Sequence, residues 1–146
     1  MNKHSTGKPE FLYYGSSERM DIIRPLADSG GRSAVHAFAV KEIALAYALG
    51  IVPDTNGEQD RVMDYKFAEG KAVMIYLKGR PNLGGKGYLY KLSSDGFTST
   101  GGTQWVCPIP VTPLAITEIN VDEYLYLCRY PTEEERRQIE ENFTER

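Results

Sequence analysis

The sequence predicts a strand-rich α+β fold, an antiparallel or mixed sheet with one early helix and one C-terminal helix. Short runs of alternating apolar and polar residues recur along most of the chain, which is the period of half-exposed strands. Helical character is confined to Lys41–Leu49 and to the stretch after Pro131. Strands do not alternate regularly with long helices, as a doubly wound parallel sheet would require. At 146 residues the chain is read as one domain over 11–146, long enough for a single substantial core, after a flexible tail over 1–10.

The first strand is Phe11-Leu12-Tyr13-Tyr14, closed by the polar turn Gly15-Ser16-Ser17. The second, Ser33 to Ala39, runs straight into the helix Lys41–Leu49, whose Ile43, Ala46 and Tyr47 share one face. Gly50 is placed as its left-handed C′ residue, and Pro53 blocks continuation. A polar loop, Asp54 to Asp60, precedes a strand in which Met63, Tyr65 and Phe67 alternate with Asp64 and Lys66. Ala68 to Lys71 is read as a turn and Ala72–Leu77 as the second arm of a hairpin. Gly79–Gly87 is expected to be another hairpin connection, leading into the alternating strand Tyr88–Leu92 and a turn over Ser93–Gly96. Gln104–Cys107 follows as a strand. Pro108, Pro110 and Pro113 then confine the chain to an edge or crossing. Ile116–Val121 and Tyr124–Tyr130 are read as two more strands. Thr132 and Glu135 form a capping box for the last helix, with Glu133 and Glu134 in its first turn, where the helix dipole favours anions.

Composition narrows the function. A net charge of -3 with scattered Lys and Arg argues against nucleic-acid binding, which draws its affinity from clustered cations. No stretch approaches the roughly eighteen apolar residues of a membrane span, and the first ten residues lack the apolar run of a signal peptide. Cys107 and Cys128, with only His4 and His36 for company, have no metal-ligand spacing, so no metal is expected. The cysteines are read as reduced thiols of a cytoplasmic protein.

Two familiar motifs fail on inspection. Gly79 to Lys86 resembles a phosphate loop, but that spacing demands Lys at 85 and Ser or Thr at 86, where this chain has Gly85 and Lys86. Gly15-Ser16-Ser17 lacks the second glycine and the strand-to-helix turn of a nucleophile elbow.

A third pattern is more informative. Tyr13-Tyr14-Gly15-Ser16, the aromatic strand Ser33–Ala39 and the Tyr47-bearing helix together resemble the nicotinamide pocket of the ADP-ribosyltransferase-like superfamily. That superfamily includes the poly-ADP-ribose polymerases and the RNA 2′-phosphotransferases. In its His-Tyr-Glu branch the first strand typically reads Tyr-His-Gly-Ser/Thr, so Tyr14 stands here in place of the His. The resemblance implies that Tyr14 contacts the ribose of NAD while Gly15 and Ser16 hold the nicotinamide amide. It also implies that His36 or Phe38 takes the aromatic position of the second strand and that Tyr47 stacks on the nicotinamide. Gln104 matches the Glu that opens a later strand and stabilises the ribosyl cation. Being uncharged, Gln104 supplies no anionic stabilisation.

The expectation is therefore an ADP-ribosyltransferase-like domain with NAD as cofactor, a nucleotide as small-molecule partner, and transferase activity altered or lost. The departing residues would be Tyr14 and Gln104 as the catalytic positions. Gly15, Ser16, His36, Phe38 and Tyr47 would bind the cofactor. Plain core packing explains Tyr13, Phe38 and Tyr47 as well, and a satisfied strand histidine explains His36. The alternatives are a small non-catalytic ligand- or protein-binding domain and a phage- or toxin-type effector. No protein partner is indicated.

Overall fold

The computed structural model describes residues 8–27, 33–66, 69 and 71–144. Most of the expected tail, and the tip of the turn over Ala68–Lys71, lie outside the described residues. Two sheets enclose one helix. The larger sheet contains β1 (Phe11–Ser16), β2 (Leu26–Ala27), β3 (Ser33–Phe38), β6 (Lys86–Ser93), β7 (Thr98–Ser99), β8 (Gln104–Cys107) and β9 (Ala115–Asn120). Its order is β7-β8-β3-β1-β6-β9, with β2 paired to β3. The smaller sheet, β10-β5-β4, is built from β4 (Asp60–Lys66), β5 (Lys71–Lys78) and β10 (Cys128–Arg129). All pairings are antiparallel except that of β10 with β5. The protein is thus α+β with a mixed smaller sheet.

Helix α1 (Lys41–Ala48) lies between the sheets, against β1, β3 and β6 on one side and β5 on the other. That position explains its composition. Ile43, Ala44, Leu45, Ala46 and Ala48 are all buried, as suits a helix covered on most of its circumference. Ala44, Leu45, Ala46 and Ala48 form one core cluster with Met74 and Tyr76 of β5, Leu89 of β6, Ile119 of β9 and Leu127. The opposite face of the large sheet carries a second, around Leu12, Val35, Ala37, Tyr90 and Leu92. The alternation of strand side chains divides the two: Leu12 and Tyr14 join the second cluster, Tyr13 the first.

α1 sits so low on the large sheet that glycine is required beneath it. A Cβ on Gly15 would lie 1.7 Å from the Ala44 carbonyl oxygen, and one on Gly87 would lie 2.1 Å from that of Ala48. After α1, Gly50 takes φ 71°, the left-handed C′ conformation its sequence position predicts. The capping box of α2 (Glu133–Thr144) also forms: Glu135 N donates to Thr132 Oγ1 at 3.1 Å, and Thr132 N to Glu135 Oε1 at 2.8 Å.

Two expectations are corrected. Tyr124–Tyr130 is not a strand: Val121–Leu127 forms 3₁₀ turns kinked at Tyr124, and only Cys128–Arg129 is extended. Val121 and Leu127 reach the core from these turns, so apolar spacing that mimics a strand is spent on a tighter coil. Gly79–Gly87 is not a hairpin connection either, because β5 and β6 belong to different sheets. The segment crosses between them, held by the Val52–Arg80 bridge and by Asn82 N donating to the Leu49 carbonyl at 2.9 Å.

Candidate functional site

The large sheet splits beside α1. β1 and β3 pair at a single position, Tyr13 with Phe38. Beyond it each strand keeps its other neighbour: β1 remains on β6 through Ser16, and β3 on β8 from Phe38 to Val35. A cavity of about 440 Å³ opens between the two inward edges and continues toward Tyr47 and Arg61. Backbone donors and acceptors of a strand edge thereby border a concave space, a recurrent construction for small-ligand sites.

The structure brings all the expected site residues to this cavity: Tyr14, Gly15, Ser16, His36, Phe38, Tyr47 and Gln104. Their roles in the geometry differ. Gln104 opens β8 directly opposite Phe38. Its side-chain nitrogen lies 2.5 Å from His36 Nδ1. In this orientation the Gln104 amide N–H donates and Nδ1 of His36 accepts. His36 and Gln104 are thus one polar unit on the wall of the cavity.

Tyr14 meets the cavity at its border. Its ring belongs to the other face of the sheet, edge-on to Tyr90 with centroids 5.7 Å apart. Burial pushes its hydroxyl above the ordinary value of 10.0, and Tyr90 and Glu18 add to the rise, so it remains a neutral donor. Ser16 Oγ is partly engaged, accepting from Glu18 N at 3.1 Å.

Tyr47 meets two neighbours with its ring. The Phe38 ring stacks on it, with centroids 5.3 Å apart and planes within 10°. The Arg61 guanidinium stands over the ring at 5.1 Å from the Tyr47 centroid, within cation–π range. A planar group inserted between two rings needs a gap of about 7 Å, twice the roughly 3.5 Å separation of touching carbons. The Phe38–Tyr47 gap is narrower than that.

Arg61 also donates to the Gly50 carbonyl at 3.0 Å, and the Tyr76 hydroxyl donates to the same oxygen at 2.6 Å. Arg61 and Arg24, on the connection between β1 and β2, both line the cavity; among the described residues no carboxylate does. Sequence reading missed both arginines. Arg61 was recoverable, since it lies in phase with Met63 and Tyr65 on β4 and is half-buried as they are. Taking the polar loop as far as Asp60 and starting the alternation only at Met63 hid it. Nothing local singles out Arg24.

Among the described residues no group of His, Cys, Asp and Glu is arranged to hold a metal. No helix among them is long and apolar enough to cross a membrane. Comparison with models of protein families, with curated proteins and with solved structures gave no match for this chain.

Proposed function

We propose that the chain is an ADP-ribosyltransferase-like domain that binds NAD or a related nucleotide in the split of the large sheet, with transferase activity weak or lost. One observation carries the reading. Residues that the resemblance marks on β1, β3, α1 and β8, far apart in sequence, border a single cavity. The inward edge at Gly15 suits the amide of a nicotinamide, which needs one backbone acceptor and one donor. Tyr14 at the border is placed for an edge contact with ribose. The chemistry open to such a site is attack on the ribose C1′ of NAD with departure of nicotinamide.

Catalysis is expected to be poor for a stated reason. Gln104 is neutral, and its side chain is engaged with His36, so among the described residues no anion faces the charge that develops on the ribose. Losing one preorganised stabilising group typically costs a factor of about 10² to 10³. The closed Phe38–Tyr47 stack favours a second reading, a binding domain without chemistry.

The test combines stability with turnover. NAD and ADP-ribose should raise the melting temperature, since a ligand specific for the native state at a hundred times its Kd adds about 2.7 kcal/mol. Nicotinamide release by the purified protein should stay near background over hours and increase in the Gln104→Glu, Tyr14→His double variant. No shift with either nucleotide rejects the nucleotide-site reading. Robust release by the unmodified chain rejects the loss of activity, and no gain in the double variant leaves the binding domain.

A further inference from the structure

We infer that Arg61 is both the phosphate ligand of this cavity and the cover of its ring-stacking face, so that the site selects ligands by a diphosphate-type anion and closes to a bare aromatic ring. The inference rests in part on the nucleotide-site reading above, although its anion half stands on the arginines themselves.

The chain as a whole is acidic, with a net charge of -3, yet among the described residues the cavity is lined by Arg24 and Arg61 and by no Asp or Glu. Among the described residues neither guanidinium is paired with a carboxylate. Cations gathered in a concave site without counter-charge select anionic ligands, and the guanidinium fork suits phosphate oxygens in particular. Two such cations from separate elements, β4 and the β1–β2 connection, fit a ligand with two phosphates better than one with a single carboxylate.

The second half concerns Tyr47. With Phe38 stacked on its ring and the Arg61 guanidinium over it, Tyr47 is already occupied where nicotinamide would stack. Arg61 is held there by the Gly50 carbonyl and by the ring. A phosphate forms stronger, charge-assisted bonds to a guanidinium than a neutral carbonyl does. A ligand bearing phosphate therefore draws Arg61 off Tyr47 and uncovers the face that its own ring can use.

Titration calorimetry at low salt with inorganic pyrophosphate, ADP-ribose and nicotinamide separates the possibilities, on the unmodified protein, Arg24→Gln, Arg61→Gln and Arg61→Lys. Pyrophosphate and ADP-ribose should bind the unmodified protein, and nicotinamide alone should not. Either Gln variant should weaken both phosphate ligands by about ten- to a hundredfold, the range for a hydrogen bond to a charged group. Arg61→Gln should in the same preparation gain nicotinamide binding, whereas Arg24→Gln should not. Arg61→Lys, which keeps the charge and loses the fork, should weaken pyrophosphate less than Arg61→Gln does. Opposite movement of the two ligand types in one variant is something a merely damaged fold cannot produce. Arg24→Gln changes an exposed side chain, and Gly50 keeps its Tyr76 bond in Arg61→Gln, so both should fold.

Unchanged phosphate affinity in both Gln variants overturns the inference, as does parallel loss of every ligand in Arg61→Gln without gain of nicotinamide. ADP-ribose binding that ignores the arginines overturns it while leaving the nucleotide site standing. Pyrophosphate binding that depends on the arginines, with no binding of NAD or ADP-ribose, supports the anion site and rejects the nucleotide reading.

Discussion

At the residue scale, Gly15 serves packing before it serves any ligand. The Ala44 carbonyl already occupies the space of a side chain at position 15, so the glycine that the resemblance assigns to an amide contact is also the point where α1 seats on β1. Gly15→Ala is therefore expected to destabilise by at least the roughly 1–3 kcal/mol of core overpacking, measurable by urea unfolding without any ligand. Wild-type stability in that variant would show that α1 can lift off β1 freely. Tyr76 offers a milder probe. Its hydroxyl shares the Gly50 carbonyl with Arg61, so Tyr76→Phe leaves that oxygen one donor. A cost of about 1 kcal/mol is expected, the usual net value of one hydrogen bond.

At the element scale, the start of α2 gives a pH dependence with a definite sign. The Arg129 guanidinium holds the Glu135 carboxyl down, with the Thr132 backbone N–H assisting, from the usual 4.5 to about 2. A carboxylate depressed in the folded state contributes stability above its unfolded value and loses it as pH falls toward the folded value. The tie between α2 and β10 should therefore weaken between about pH 4.5 and 2, and Glu135→Gln should flatten that part of the curve. The loss is best followed by amide exchange at the start of α2, and identical acid profiles for the two proteins would refute it. This element was legible in the sequence because a capping box is a local code. So were α1, closed by Gly50 and Pro53, and the β4–β5 hairpin, whose first arm alternates and whose second is an apolar run. Tyr124–Tyr130 was only partly legible: Cys128–Arg129 is extended, while Tyr124–Leu127 belong to 3₁₀ turns that carry Val121 and Leu127 to a core built by distant elements.

At the scale of the whole molecule, α1 makes the two sheets one body. Its cluster takes residues from β5 on one side and from β6 and β9 on the other. Leu49→Ala, at a fully buried position, should cost about 2–5 kcal/mol. It should lower a single transition in which Trp105 fluorescence, from β8 in the large sheet, coincides with loss of backbone circular dichroism. Two separated transitions would mean that the sheets fold apart. The cavity lining was legible in part as residues and not as a shape. Local patterns marked β1, β3 and Tyr47, but the split between strands and the position of Arg24 depend on tertiary arrangement, which no spacing in the chain encodes.

The split also bears on what could go wrong. Continued in register, the β1–β3 ladder would set Gly15 opposite His36, and strands so aligned gain hydrogen bonds by zipping shut. The seat of α1 on Gly15 opposes this, since moving β1 sideways drags the helix with it. The cavity is thus a ladder held ajar by a wedge. Loosening the wedge should let the sheet heal across the cavity well before the molecule unfolds, giving a folded chain without its cavity.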